Sequence, residues 1–145
     1  MMMNRLLISS RVLKVQGVLL LSVAAIHLLV IPPLRGVLVR MLSAGDFQFV
    51  WPPFLLNHAV VGILLVSVGA STLVSALGIR TGDRRSWWIG MINAITILSL
   101  PIVLAVVMER RYFSALPFLV AAILITALGT SMIWPLLWVR RELKD

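Results

Sequence analysis

Four long apolar runs constrain this chain more than any other feature of its sequence. They cover residues 15–31, 54–77, 87–108 and 115–139, and none of them contains Asp, Glu, Lys or Arg. Each run is close to or above the roughly 18–20 residues with which an α-helix crosses about 30 Å of hydrocarbon. A backbone in lipid must satisfy its own hydrogen bonds, and these runs lack the alternation of a barrel strand. They therefore predict four transmembrane helices.

The composition leads to the same class of protein. Of 145 residues, 61% are hydrophobic and 12% are charged, which is more apolar surface than one small water-soluble core can bury. We predict an all-α fold, a polytopic membrane protein built as a four-transmembrane-helix bundle, in a single membrane domain over residues 1–145. The first run is expected to be a retained helix rather than a cleaved signal, because Lys14 and Gln16 interrupt its start.

The basic residues lie at the edges of the apolar runs, so the net charge of +8 predicts topology rather than nucleic-acid binding. One side of the predicted bundle receives four of them, Arg35, Arg40, Arg110 and Arg111. The other side receives nine, in the N-terminal segment, the middle loop and the tail: Arg5, Arg11, Lys14, Arg80, Arg84, Arg85, Arg140, Arg141 and Lys144. The positive-inside rule therefore predicts a cell-membrane protein with both termini and the middle loop in the cytoplasm.

The connection between the first two runs, residues 32–53, is long enough to hold structure. Its segment LRGVLVRMLSAGDF has apolar and basic residues at near-helical spacing, which favours a short interfacial helix over an ordinary solvated loop. Trp51 suits the headgroup region. Pro52 and Pro53 are expected to end any preceding helix before the second membrane helix begins at Phe54.

The middle loop carries the one family resemblance in the chain. The sequence LGIRTGDRRSWWIG, residues 77–90, combines glycines, basic residues, an acid and paired tryptophans. This pattern resembles the corresponding loop of small, uncharacterised four-helix integral membrane proteins. The resemblance covers about a tenth of the chain and implies a topology, with no known activity.

Several function classes are excluded by the residues that the runs lack. All five acids lie outside the runs, so an ion-coupled transporter and a carboxylate-bridged metal site are not expected. No run contains a lysine for a Schiff base, and neither G-x-S-x-G nor H-E-x-x-H occurs. The chain has no cysteine, which removes thiolate metal sites and disulfides. We predict no enzymatic activity and no metal site. The acids are Asp46, Asp83, Glu109, Glu142 and Asp145.

Two histidines are the most informative polar residues in the runs. With the N-terminus inside, His27 lies about 6 Å before the outer end of the first helix, and His58 lies about as far into the second. Helices joined by a loop are usually neighbours, so both imidazoles are expected to converge, with Arg35 and Arg40 just above them.

This convergence admits several interpretations. The two imidazoles would ligate a haem iron, with the arginines at its propionates, or hold a quinone, a lipid headgroup or a metal with further ligands. The alternative is that each histidine hydrogen-bonds to a neighbouring helix and only fixes packing. Haem is therefore an open cofactor prediction, and packing is the more common outcome.

Helix packing is predicted from small residues and from one amide. Gly62, Gly69 and Ala76 lie within about 40° of His58 around the second helix, and Asn93 is expected to hydrogen-bond between helices. A second packing stripe is Ala122, Thr126 and Gly129. The predicted function is that of a non-catalytic accessory or structural subunit, or a packing partner, in a membrane assembly or homo-oligomer. A cofactor- or lipid-binding bundle is the alternative.

Overall fold

The computed structural model describes residues 2–107, 114 and 116–143, and the regular structure in that part of the chain is helical. The predicted outer turn at Glu109, Arg110 and Arg111, the run limits at Met108 and Ala115, and the tail residue Lys144 lie outside the described residues. The helices are α1 (Met2–Leu29), α2 (Ile31–Met41), α3 (Ala44–Arg80), α4 (Arg84–Val107) and α5 (Leu116–Val139), followed by a 3-10 turn at Arg140–Glu142.

Four helical segments are long and apolar enough to cross a membrane, which confirms the predicted all-helical class and the number of membrane-length segments. They are Asn4–Met41, Ala44–Arg80, Arg84–Val107 and Leu119–Glu142. Between 17 and 28% of the apolar window in each segment is buried within the chain, so most of each window faces outward. The insertion and the orientation of these segments stay predictions.

α1 begins well before the apolar run at residue 15 that predicted it. Its buried positions recur every three or four residues from the first turns onward, as expected for one packed face of a helix. These positions are Leu6, Ser9, Ser10, Leu13, Leu20 and Ala24. The N-terminal segment lies outside the predicted run because of its polar residues, although this periodicity is already present in the sequence.

The predicted helix in the first connection is present as α2, although no residue of α2 is buried. Pro32 and Pro33 lie in its first turn, where their missing N–H groups have no helical acceptor to lose. The backbone N–H of Leu42 closes the last turn by donating to the Leu38 carbonyl at 3.0 Å. A location at the membrane interface stays a prediction for α2.

The expected helix break at Pro52 and Pro53 is wrong, because both prolines lie inside α3. The helix begins at Ala44 behind a Ser43 cap: the Asp46 N–H donates to Ser43 Oγ at 3.2 Å, and Ser43 Oγ donates to the Asp46 carboxylate at 2.6 Å. This cap satisfies N-terminal donors and starts the helix upstream of the prolines. Each proline then removes one backbone bond without ending the helix, as membrane helices tolerate.

The contacts divide the chain into two compact units. The first unit comprises Met1–Gln16 with Ser71–Asp145, and the second comprises Gly17–Ala70. In the first unit the start of α1, the end of α3, α4 and α5 share a core whose fully buried apolar side chains include Leu13, Ile79, Ile97, Met132 and Leu136. The second unit contains the rest of α1, α2 and the N-terminal part of α3. The single membrane domain stays a prediction.

Candidate functional site

Asn93 holds two hydroxyl side chains of α3 from its position on α4. Its Nδ2 donates to Ser71 Oγ at 2.9 Å and to Thr72 Oγ1 at 3.0 Å. Thr72 is fully buried, and Asn93 is 8% exposed. A buried amide is costly in an apolar surrounding unless its groups are paired, so these bonds fix the register of α3 against α4.

Serine and glutamine side chains make four further hydrogen bonds from one helix of the first unit to another. Ser9 Oγ donates to the Pro135 carbonyl at 3.1 Å, and Ser10 Oγ donates to the Ala76 carbonyl at 2.6 Å. The other two are Ser75 Oγ to the Ser86 carbonyl at 2.6 Å and Gln16 Nε2 to Ser131 Oγ at 2.7 Å. The serines were missed as site residues because serine is mildly polar and also common on lipid-facing helices. Their spacing on buried faces was the available signal.

The turn between α3 and α4 is built around Asp83. Its carboxylate accepts from the Ser86 N–H at 2.9 Å, from the Ser86 hydroxyl and from the Arg85 N–H at 3.2 Å. The side-chain hydrogen bond from Ser86, followed by its backbone bond, holds the pKa of the Asp83 carboxyl below its ordinary value. Gly82 adopts a φ of 80°, which lets the chain reverse before this cap. The carboxylate is thus a structural cap of α4.

Arginines and tryptophans meet at the same end of the first unit. Arg5 pairs with Glu142 at 3.4 Å, and its guanidinium lies 5.3 Å from the Trp138 ring centroid. Trp87 Nε1 donates to the Leu136 carbonyl at 2.8 Å, and Arg140 lies 5.9 Å from the Trp87 ring. These contacts join the start of α1, the start of α4 and the end of α5.

The two histidines lie together in the second unit. Their ring centroids are 4.9 Å apart, the planes differ by 19°, and both side chains are half-buried. His58 Nδ1 donates to the Phe54 carbonyl at 3.1 Å, because a carbonyl oxygen can only accept. This bond places a proton on Nδ1 and leaves Nε2 of a neutral His58 with its lone pair.

The imidazole pair ends a longer row of stacked rings on α3. Phe47 stacks on Trp51 at 5.8 Å, Trp51 on Phe54 at 6.2 Å, and Phe54 on His58 at 4.2 Å between ring centroids. The four residues recur every three or four positions, so they occupy one side of the helix. We call these four rings together with His27 the aromatic row. Sequence analysis identified its histidine end and missed the row.

The predicted packing residues take different positions. A Cβ on Gly62 would lie 2.5 Å from Leu28 Cδ2, and one on Gly69 would lie 3.1 Å from the Gly17 carbonyl, so both glycines admit α1 closely. Ala76 is fully buried, and a Cβ on Gly129 would lie 3.1 Å from Leu98 Cα. Ala122 is half-buried, whereas Thr126 is exposed and its hydroxyl donates to the Ala122 carbonyl at 2.8 Å.

The arginines expected above the histidines are both exposed on α2. Arg40 Nε donates to the Gly36 carbonyl at 3.0 Å, and within the described part of the chain no hydrogen bond joins Arg35 or Arg40 to either imidazole. The expected convergence of four residues is therefore seen only for the two histidines.

The stacked pair does not fit the geometry of two haem ligands. An iron bound by both rings would lie between two ring nitrogens, each about 2 Å from the metal, with both rings pointing at it edge-on. His27 and His58 instead face each other at 4.9 Å. Among the described residues there is also no group of three or more His, Asp or Glu side chains that could hold a metal ion.

An open apolar groove lies between α4 and α5. It has a volume of about 480 Å³ and is lined by Leu98, Pro101, Ile102, Ala105, Val106 and Thr126. Pro101, Ala105 and Thr126 are the smaller side chains in this lining. Their size leaves room at the surface of the two helices.

Comparisons of the chain with protein-family models, with curated proteins and with solved structures give no significant match.

Proposed function

We propose that this chain is a non-catalytic integral membrane bundle that associates laterally with other membrane-embedded helices, as an accessory or structural subunit. The observation that carries the proposal is the low burial of its membrane-length helices, of which no apolar window is more than 28% buried. Helices of this kind leave broad apolar sides for lipid or for partner helices.

The internal hydrogen bonds support a structural role. In the first unit Asn93, Gln16 and several serines bond from helix to helix, which stabilises a defined bundle. Such bonds are each worth about 0.6 kcal/mol between membrane helices, so they act together to set register. A bundle with a fixed register can present a constant outer face to a partner.

The groove between α4 and α5 is the proposed docking position for a partner helix. Thr126 is exposed at its edge, and its hydroxyl is satisfied within its own helix, so a neighbouring helix meets a small and effectively apolar surface. Small residues let helix backbones approach closely. We propose a transmembrane helix of another subunit as the occupant.

Substitution of Thr126 by leucine is expected to lower recovery of the assembled complex about tenfold, which corresponds to about 1.4 kcal/mol of association free energy. The larger side chain fills the groove in which the partner helix would lie. The measurement is the mass of the complex extracted from native membranes in mild detergent, by size exclusion with light scattering. The wild-type protein mass should exceed the 16.0 kDa of one chain.

Ala121→Leu is the matched control, because Ala121 is also exposed and lies about 140° away around α5. This variant should assemble as the wild type does. Equal losses in both variants would place the contact elsewhere. A wild-type protein with the mass of a single chain would contradict the subunit proposal. If a lipid acyl chain fills the groove instead of a partner helix, both variants should keep the wild-type mass, and this result would contradict the proposed docking position.

For orientation, we propose that both termini and the α3–α4 turn face the cytoplasm. The start of α1, that turn and the end of α5 meet at one end of the first unit, and the nine predicted inner basic residues belong to these segments. The positive-inside rule assigns such an end to the cytoplasmic side. The cell membrane is the proposed location.

A second candidate function is binding of a planar quinone headgroup at the aromatic row, and the stacked histidines favour it. His58 Nε2 can accept a hydrogen bond from a quinol hydroxyl, while His27 has a ring N–H to donate to a quinone carbonyl. Aromatic rings in offset stacks accept a further flat ring at similar spacing.

Decylubiquinone is expected to raise the melting temperature of the purified protein, and His27→Ala and His58→Ala should each weaken its binding about tenfold. Asn57→Ala is the control, since Asn57 is exposed beside His58 and outside the row. No stabilisation of the wild type, or equal binding by all variants, would rule out this candidate. An absorption spectrum serves as a check, because a Soret band would contradict the geometric argument against haem ligation.

A further inference from the structure

Several arginines of the first unit are gathered at one end by specific contacts. Ser10 bonds to Ala76 near the end of α3, Arg5 pairs with Glu142 beyond α5, and Trp87 at the start of α4 bonds to Leu136 of α5. The same end therefore carries six arginines from four chain segments, which we call the basic end. They are Arg5, Arg80, Arg84, Arg85, Arg140 and Arg141.

Only two described acids lie at the basic end, and both already have partners. Asp83 accepts three hydrogen bonds from Ser86 and Arg85, and Glu142 pairs with Arg5. Arg80, Arg140 and Arg141 are exposed. Six arginines against two described acids leave this end with a positive excess among the described residues.

Tryptophans surround these arginines. Trp88 is 54% exposed and packs edge-on against the buried Trp87, with ring centroids 4.8 Å apart. Trp134 is 60% exposed and stacks on Trp138 at 5.4 Å. Exposed tryptophans at the end of a membrane-length helix are typical of the headgroup region of a bilayer. In a bundle inserted in this way, the arginines beside them would lie at the depth of lipid phosphates.

We propose that the basic end binds the phosphate groups of anionic phospholipids, with Arg140 and Arg141 as principal ligands. The Arg140 guanidinium lies 5.9 Å from the Trp87 ring centroid, and the indole N–H of that ring is itself bonded, so the ring gives this guanidinium a fixed surface to rest on. Guanidinium groups bind phosphate oxygens in a planar, two-pronged geometry. Lipids of this charge are attracted by clustered basic residues beside a membrane helix.

The test uses the intact protein in neutral detergent, mixed with equal amounts of phosphatidylglycerol and phosphatidylcholine. Lipid retained after exchange is quantified by mass spectrometry. The wild type is expected to retain phosphatidylglycerol preferentially, and Arg140→Gln with Arg141→Gln should reduce that preference by about 10- to 30-fold. Higher salt should weaken the preference, because the arginines are exposed to solvent.

Arg35→Gln with Arg40→Gln is the matched control, since this pair is also exposed but lies on α2 in the second unit. It should keep the wild-type preference. Melting curves establish that each variant is folded. If the double substitution at Arg140 and Arg141 unfolds the protein, Arg84→Gln with Arg85→Gln is measured in its place. Equal retention of both lipids by the wild type would overturn the proposal. An equal loss of the phosphatidylglycerol preference in the basic-end variant and in the α2 control variant would overturn it as well. So would complete displacement of the lipid by inorganic phosphate at the same concentration.

Discussion

Replacing Gly78 by alanine is expected to lower the melting temperature of the purified protein by about 10 °C, which corresponds to a loss of about 2–3 kcal/mol in the free energy of unfolding. A Cβ at this position would overlap the Ser86 hydroxyl and lie 2.6 Å from Ser86 Cβ. Ser86 cannot move aside freely, because its backbone N–H and hydroxyl both bond to Asp83, and its carbonyl accepts from Ser75. The substitution therefore disturbs the whole turn between α3 and α4.

The sign of this effect distinguishes packing from helix propensity. Alanine is favoured over glycine in helix interiors by up to about 1 kcal/mol, so an unobstructed substitution should stabilise the helix. Gly36→Ala on α2 provides that case, because the nearest atom to its added Cβ is Arg40 Nη2 at 3.9 Å. This control should leave the melting temperature unchanged or raise it.

A rescue experiment tests the cause of the Gly78 effect. Ser86→Gly removes both side-chain atoms that the new Cβ would strike, at the cost of one cap bond from its hydroxyl to Asp83. In the double variant Gly78→Ala with Ser86→Gly, much of the lost stability should return, giving a coupling energy of about 1–2 kcal/mol. Strictly additive effects of the two substitutions would show that the overlap is not the cause.

Replacing Gly129 by leucine is expected to be at least as damaging, with a loss of about 3 kcal/mol and a comparable fall in melting temperature. Gly129 is buried on α5, and a Cβ there would lie 3.1 Å from the N, Cα and Cβ atoms of Leu98 on α4. Two of these three atoms belong to the backbone, which cannot rotate away as a side chain can. Relief requires α4 and α5 to separate along their contact.

A graded series checks this prediction. Gly129→Ala should lose about 1 kcal/mol and Gly129→Leu about 3 kcal/mol, whereas Ala127→Leu, at an exposed position of the same helix, should change stability little. Leu98→Gly should fail to rescue Gly129→Leu, because the backbone atoms of residue 98 remain in place. A full rescue by Leu98→Gly, or an undisturbed Gly129→Leu protein, would show that the helices approach less closely than the structure indicates.

Much of the fold was predictable from local sequence, and the failures have specific causes. The uncharged apolar runs predicted the number of membrane-length helices, and amphipathic spacing in residues 32–53 predicted α2. Helix limits were less accurate, because a run of hydropathy marks the segment suited to lipid and not the extent of the helix. α1 therefore begins at Met2, and α3 continues through Pro52 and Pro53 from the Ser43 cap.

The candidate site was predictable in part. The positions of His27 and His58 along their predicted membrane helices placed them at one level. In the structure their ring centroids are 4.9 Å apart. The stacking itself and the row that continues through Phe54, Trp51 and Phe47 depend on side-chain rotamers, which are chosen by neighbouring atoms. Likewise, residue type alone did not predict which serine hydroxyls bond across helices, since serine bonds to another helix in one environment and to its own helix in another.

The amino-acid sequence by itself determined the helical class of this protein: a helix satisfies its backbone hydrogen bonds within one uncharged run of membrane length, and these runs lack the alternation of a barrel strand. It also determined the neutral chemistry of those runs, since they contain no Asp, Glu, Lys or Arg. Only the tertiary structure decided which polar groups meet. Asn93 with Ser71 and Thr72, the stacked histidines and the arginine-rich end all join residues distant in sequence, and their pairing depends on the register and rotation at which helices pack.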